Sequence, residues 1–459
     1  MNTSIIGLLL IISAALVWLM PSDAPGALVM CAAVSAPTIL ILARTEDEKT
    51  FLFRLFLVGL LIRIVLAAVI NMGHMEDFFG GDANTYDIFG QSLLQGLNGD
   101  KYHMEKYQSF VASGAGAWGM LYLVAGIYDV VGRNLFAIQL VNASIGAATG
   151  VVVYHTAMSL FSNKRVAKLA ALLVTFFPSL ILWSSQALKD GLIILALAIS
   201  ILATLRLMEK ITFGWVVVIT VSLLTLLSLR FYIFYMMTAA VAGSFFMGMK
   251  TVSAQGFIQR FMAVAAIGLA FTWFGVLQYA NNQFNRFANL QQIQMSRMDQ
   301  AQAGSGFAKD VDIGTTEGAL AIIPLGTVYL LLAPFPWQFQ TLRQTITLPE
   351  MIVWWFSFPL LVLGMWYSIK HRLRQVSPIV LFTTMLTLVY SVFQGNVGTA
   401  YRQRSQLLVF YFIFVAVGAI IMKERAEDRR LQAKIAKQEL KEMQAARVLA
   451  RRKTAMGQS

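Results

Sequence analysis

The chain has 459 residues, 58% of them hydrophobic and 13% charged, more apolar surface than a water-soluble globule can hide. Its formal net charge is +13, but the basic residues lie beside apolar runs, which points to membrane orientation and away from nucleic-acid binding. The one cysteine, Cys31, excludes an internal disulfide and leaves the redox compartment unread.

A hydrocarbon core about 30 Å thick takes about 20 helical residues to cross. Runs 4–20 and 27–43 predict an N-terminal transmembrane hairpin within residues 1–50. The first residues lack the basic region and cleavage site of a secretory signal, so the first run is read as a retained helix. Run 51–72 crosses next and opens a loop, 73–134, with seven acids against three bases. Runs 135–161, 168–186, 191–208, 214–229, 231–249 and 260–278 follow, then a polar, Gln/Asn-rich loop at 279–316. Runs 350–369, 376–394 and 405–422 complete the apolar body, 51–422. Residues 423–459 form a basic tail with eleven Lys/Arg, five Asp/Glu and a helix-forming composition.

Two further apolar runs, 117–132 and 317–337, are settled by charge. The bases at Arg44, Lys49, Lys164, Arg165, Lys168, Lys210, Lys250, Lys370, Arg372, Arg374 and in the tail belong on the cytoplasmic side. That parity holds only if both doubtful runs stay at the outer face, 117–132 as a juxtamembrane helix and 317–337 broken near Pro334 and Pro336. The expectation is an all-α, polytopic membrane protein of about twelve transmembrane helices, with outer-face juxtamembrane helices and both termini cytoplasmic.

The chemistry-bearing residues collect at the outer ends. In Gly80-Gly81-Asp82 through Gly96, the residues Asp82, Tyr86, Phe89 and Leu93 recur at helical spacing, so a helix starts near Asp82. A carboxylate there either caps the helix or acts as a general base. Asp77 and Asp87 are the nearest further acids. Lys189 and Asp190 lie between two apolar runs, as an ion pair or cap, or as substrate contacts. Arg230, with almost no loop around it, is an interfacial turn residue or needs an anion beside it. Arg402 and Arg404, opening the last helix after a Gly-rich turn, suit an oxyanion such as phosphate and are anomalous at an outer face. The four histidines show no metal-ligand spacing, and no nucleotide-binding motif appears.

These stretches resemble the GT-C membrane glycosyltransferases, in the branch that includes dolichyl-phosphate-mannose-protein mannosyltransferases and bacterial lipid A aminoarabinose transferases. The outer Asp82–Gly96 pattern carries the likeness, with Gly132-Arg133-Asn134-Leu135, Gln139 to Asn142, Lys164-Arg165 and Phe177-Pro178 through Lys189-Asp190. It covers roughly 51–250 and the region near 402. It departs in two extra N-terminal helices, no second acid directly beside Asp82, and Lys189-Asp190 in place of a lone acid. The resemblance implies transfer of a sugar from a polyprenyl-phosphate donor to a glycan, lipid or protein acceptor at the outer face of a bacterial inner membrane. It makes Asp82 the base, with Arg402 and Arg404 on the donor phosphate, and Lys189, Asp190, Arg230, Tyr86 and Asp87 as further substrate contacts. It allows a divalent metal, for which the sequence displays no ligand set. A Wzy-like polymerase or O-antigen ligase would place its main outer loop late, whereas the acidic loop here is early. A transporter would carry ionisable groups at helix centres, where only Arg54 and Arg63 occur.

Overall fold

The structure, a computed structural model, describes residues 2–79, 81–112, 118–247, 262, 290–302, 304–339 and 342–456. The expected crossing at 260–278 lies outside them, apart from Met262. The first half runs α1 (Asn2–Leu19), α2 (Ala24–Arg44), α3 (Lys49–Met72), α4 (Glu76–Phe79), α5 (Asp82–Leu97), α6 (Lys101–Ala112), α7 (Trp118–Val131), α8 (Leu135–Phe161), α9 (Lys164–Phe176), α10 (Pro178–Ser184), α11 (Asp190–Glu209), α12 (Phe213–Leu229) and α13 (Phe231–Met247). The second half contributes α14 (Leu290–Gln302), α15 (Thr316–Leu332), α16 (Leu342–Thr345), α17 (Leu348–Phe393) and α18 (Val397–Met456). The protein is an all-α polytopic membrane protein.

Among the described residues, six helices are long and apolar enough to span: α2, α3, α8, α11, α17 and α18. The pair α9 and α10, bent by 55°, makes a seventh if taken as one span. Among the described residues, twelve crossings are therefore not reached by length and composition. Runs 4–20 and 214–229, and the described part of run 231–249, form shorter apolar helices, with apolar stretches Ser4–Leu19, Phe213–Leu229 and Phe231–Phe245. Runs 350–369 and 376–394 share α17, which breaks at Arg372 (φ −139°, ψ 26°).

Charged turns tie one end of the bundle together. Lys164 pairs with Asp47, Lys168 with Glu48 at 2.8 Å, and Arg165 approaches Glu427 at 3.8 Å. Arg372 donates to the Leu160 carbonyl at 3.0 Å. The turns that the charge pattern assigns to one side therefore do meet. At the opposite end α7 lies crosswise. A Cβ on its Gly119 would fall 2.2 Å from Ser228 Oγ at the end of α12, and Val131 packs on Gly26 near the start of α2. Both halves of α15 also meet that end. Ile322 packs with Val392 and Phe393, while the Leu331 carbonyl accepts from Trp354 Nε1 at 2.6 Å.

The α9–α10 break is fixed by accounting for backbone partners. Pro178 has no N–H, and the Ser179 N–H donates to Glu350 Oε2 at 2.6 Å. The Thr175 carbonyl, left without its helical donor, accepts from Arg63 Nη1 at 3.0 Å. Arg63 is fully buried and also donates to Ser184 Oγ at 2.8 Å. Close approach makes this geometry feasible: a Cβ on Gly146 would sit 2.4 Å from Ser184 Cβ, and one on Gly150 1.9 Å from Thr175 Oγ1.

Candidate functional site

The break delivers the turn 185–189 to the end of the bundle that carries α7. Asn142 of α8 holds that turn, its Nδ2 donating to the carbonyls of Gln186 and Leu188, both at 2.7 Å. Asp190 then opens α11 with a fully buried side chain. A buried carboxylate needs partners, and Asp190 has two arginines. Its Oδ2 accepts from Arg402 Nε at 2.9 Å and Nη2 at 2.6 Å, and its Oδ1 accepts from Arg230 Nη2 at 3.4 Å.

Arg402 also reaches Asp82. Its Nη1 donates to Asp82 Oδ2 at 2.7 Å, across 320 residues of sequence. The capping reading of Asp82 does not describe this geometry. Gly81 stands at the cap position, and no side chain caps α5. Asp82 is half exposed, at 50%, whereas Arg402 is 15% exposed with its guanidinium 5.7 Å from the centre of the Trp183 ring. Arg230 is braced behind Asp190: its Nη1 donates to Tyr232 Oη at 3.0 Å and Tyr390 Oη at 3.4 Å. Tyr390 in turn donates to Gln406 Oε1 at 2.6 Å. Lys189 Nζ stands 5.9 Å from the centre of the buried Tyr86 ring. Burial, then the Arg230 charge, pushes the Lys189 ammonium down to about 7. Burial and the Asp82 and Asp190 carboxylates raise the Tyr86 phenol.

Asp82, Tyr86, Lys189, Asp190, Arg230 and Arg402 therefore form one cluster. Asp87 and Arg404 are engaged elsewhere. Asp87 accepts from Tyr128 Oη at 2.6 Å and pairs with Arg133, locking α5 to the end of α7. Arg404 lies two residues from Arg402 in the same helix, so its side chain points about 200° away. It is fully buried, donating to the carbonyls of Leu331 at 3.1 Å and Ala333 at 2.8 Å. The sequence reading passed over Trp183, Tyr232 and Tyr390. Trp183 and Tyr390 sit inside apolar helices like any core aromatic, and only Tyr232, two residues past Arg230, had a flag.

A model of the family described as dolichyl-phosphate-mannose-protein mannosyltransferase matches residues 117–278. The chain is similar to the GT-C membrane glycosyltransferases. The match holds Lys189, Asp190 and Arg230, whereas Asp82 and Arg402 lie outside it. No curated protein matches the chain. Among solved structures, the apo oligosaccharyltransferase of Archaeoglobus fulgidus aligns over 83% of this chain and 52% of its own, at 12% identity and a TM-score of 0.42. This chain thus spans about half that structure's length, a likeness too slight to bear on the site.

GT-C relatives raise the question of a divalent metal, and the donor set here does not fit one. The two site carboxylates already share a guanidinium, which holds the positive charge between them. Among the described residues no group of three His, Cys, Asp or Glu side chains could hold an ion.

Proposed function

We propose that the chain is a membrane glycosyltransferase that moves a sugar from a polyprenyl-phosphate donor to an acceptor hydroxyl, in a bacterial inner membrane with the site on the outer side. The observation that carries this reading is the meeting of an early carboxylate and a late guanidinium, Asp82 and Arg402, at 2.7 Å. Around this pair stand Arg230 and Lys189, the latter taking up its proton when an anion binds, so that three cations then face two carboxylates, which suits an anionic phosphate group. The donor's lipid stays in the bilayer, which accounts for a site placed at the ends of membrane helices.

In this reading Asp82 takes the proton of the acceptor hydroxyl as its oxygen bonds to the anomeric carbon. The anomeric C–O bond to phosphate breaks, and the electron pair leaves with the polyprenyl phosphate. That anion needs cations and no general acid, and Arg402 with Lys189 supplies them. Asp190 and Arg230 hold Arg402 in place. Displacement on one face inverts the anomeric centre.

The test is incorporation of labelled sugar from a polyprenyl-phosphate donor into the acceptor fraction of membranes bearing the protein. Asp82→Asn is expected to lower incorporation by at least a thousandfold with the protein still folded. Undiminished incorporation would remove Asp82 as the base.

A further inference from the structure

Asp82 and Arg402 are each other's partners in this structure, so neither the base nor the phosphate ligand is free. We infer that the Asp82–Arg402 pair is a latch that the donor phosphate opens, so that the base is released only once a donor is bound. The inference rests on the reading of the site as one for a lipid phosphate, and it adds an order of binding to it.

The two carboxylates on Arg402 are not equivalent. Asp190 is fully buried, receives both Nε and Nη2 of Arg402 together with Arg230, and sits on a turn pinned by Asn142. Moving it would strand a charge away from water. Asp82 holds Arg402 through Nη1 alone, and half its side chain is in solvent. Exposed ion pairs contribute little, because water solvates the freed carboxylate almost as well. A phosphate oxygen arriving at Nη1 therefore displaces Asp82 and leaves Asp190 in place. Helix α5 need not shift, since Asp87 ties it to Tyr128 and Arg133. A side-chain rotation at Asp82 is enough. The displaced carboxylate then stands beside the donor with its lone pairs free for a hydroxyl proton, and before that moment the pair guards against proton transfer without a donor.

The experiment is carboxylate labelling of the protein in lipid nanodiscs with a water-soluble carbodiimide and an amine, read by mass spectrometry. Polyprenyl phosphate is the added probe, and its binding is measured in parallel. The latch predicts that saturating polyprenyl phosphate raises Asp82 labelling at least threefold while Asp190 stays unlabelled. It also predicts that Arg402→Gln labels at the raised level without the probe. Bound probe with unchanged or reduced Asp82 labelling overturns the latch and leaves the lipid-phosphate site standing. Failure of the probe to bind the wild-type protein overturns both. Should Arg402→Gln not fold, Asp82→Asn serves instead: it is expected to bind polyprenyl phosphate about threefold tighter, and equal or weaker binding contradicts the latch.

Discussion

Arg402 and Arg404 are two arginines of one helix with opposite prospects. Arg402 faces two carboxylates, so Arg402→Ala is expected to weaken polyprenyl-phosphate binding at least tenfold, about 1.4 kcal/mol, measured as a Kd in nanodiscs. Arg404 faces backbone carbonyls and the Glu350 side of the bundle. Arg404→Met should leave that Kd within twofold and lower stability by roughly 3 kcal/mol, seen as a fall in Tm, because buried acceptors lose their donor. Lys189 gives a pH signature. Its ammonium is pushed down to about 7 by burial, so above pH 7 it is mostly neutral in the empty site, and a bound anion must draw a proton onto it. A polyprenyl-phosphate sugar is a diester whose own charge is constant in this range. Its affinity should therefore fall between pH 7 and 9, by up to about tenfold per unit, and Lys189→Met should flatten the profile. The sequence made the residue types legible: an acid at a helix start, an arginine squeezed between apolar runs, an arginine on the wrong side for its charge. It could not show that these partner each other, because no local spacing links residues 320 apart. The pairing of Arg402 with Arg404 failed for a local reason. Helix α18 begins at Val397, before both, so they diverge as any i, i+2 pair does.

At the scale of elements, the site depends on an interrupted helix. The break between α9 and α10 falls at Phe177-Pro178, inside the run 168–186 that the apolar pattern reads as one crossing. What closes the break is not legible in the sequence either. Arg63 from α3 and Glu350 from α17 take the two backbone groups that Pro178 leaves without helical partners, and neither is near the break in sequence. Asn142 performs the same service for the turn that carries Lys189 and Asp190. Asn142→Leu removes two hydrogen bonds to buried carbonyls, at a cost of about 2–4 kcal/mol. It should lower sugar transfer more than tenfold while polyprenyl-phosphate affinity changes by less than threefold, since Arg230 and Arg402 remain. Equal losses in both would mean that the turn serves binding alone. In the long α17 the sequence reads two helices and a basic turn, and the chain does kink between two helices there. Arg372 leaves helical geometry at the kink, and its side chain donates to the Leu160 carbonyl.

For the whole molecule, hydropathy and charge parity made the all-α membrane architecture and the two-ended arrangement legible. The number of crossings was less so, since apolar runs of 16 or 17 residues are too short to be told from buried or tilted helices by composition. The two ends can be separated directly. In a Cys31→Ala background, a cysteine at exposed Asn98 should react with an impermeant maleimide only from the side of the site. One at Ser162 should react only from the other, and labelling of both from one side would contradict the arrangement. Beyond the bundle, α18 continues without a break from Val397 to Met456, so the basic tail is helical through Met456, as its composition predicts. The central claim is that residues from three distant stretches surround one lipid phosphate, and photolabelling tests it most directly. A polyprenyl phosphate with a photoreactive group beside its phosphate should label peptides containing 183–190 and 397–402, with labelling competed by unlabelled lipid and lost in Arg402→Ala. Labelling confined to the end that carries Lys164 and Arg372, or indifferent to Arg402→Ala, would contradict the account.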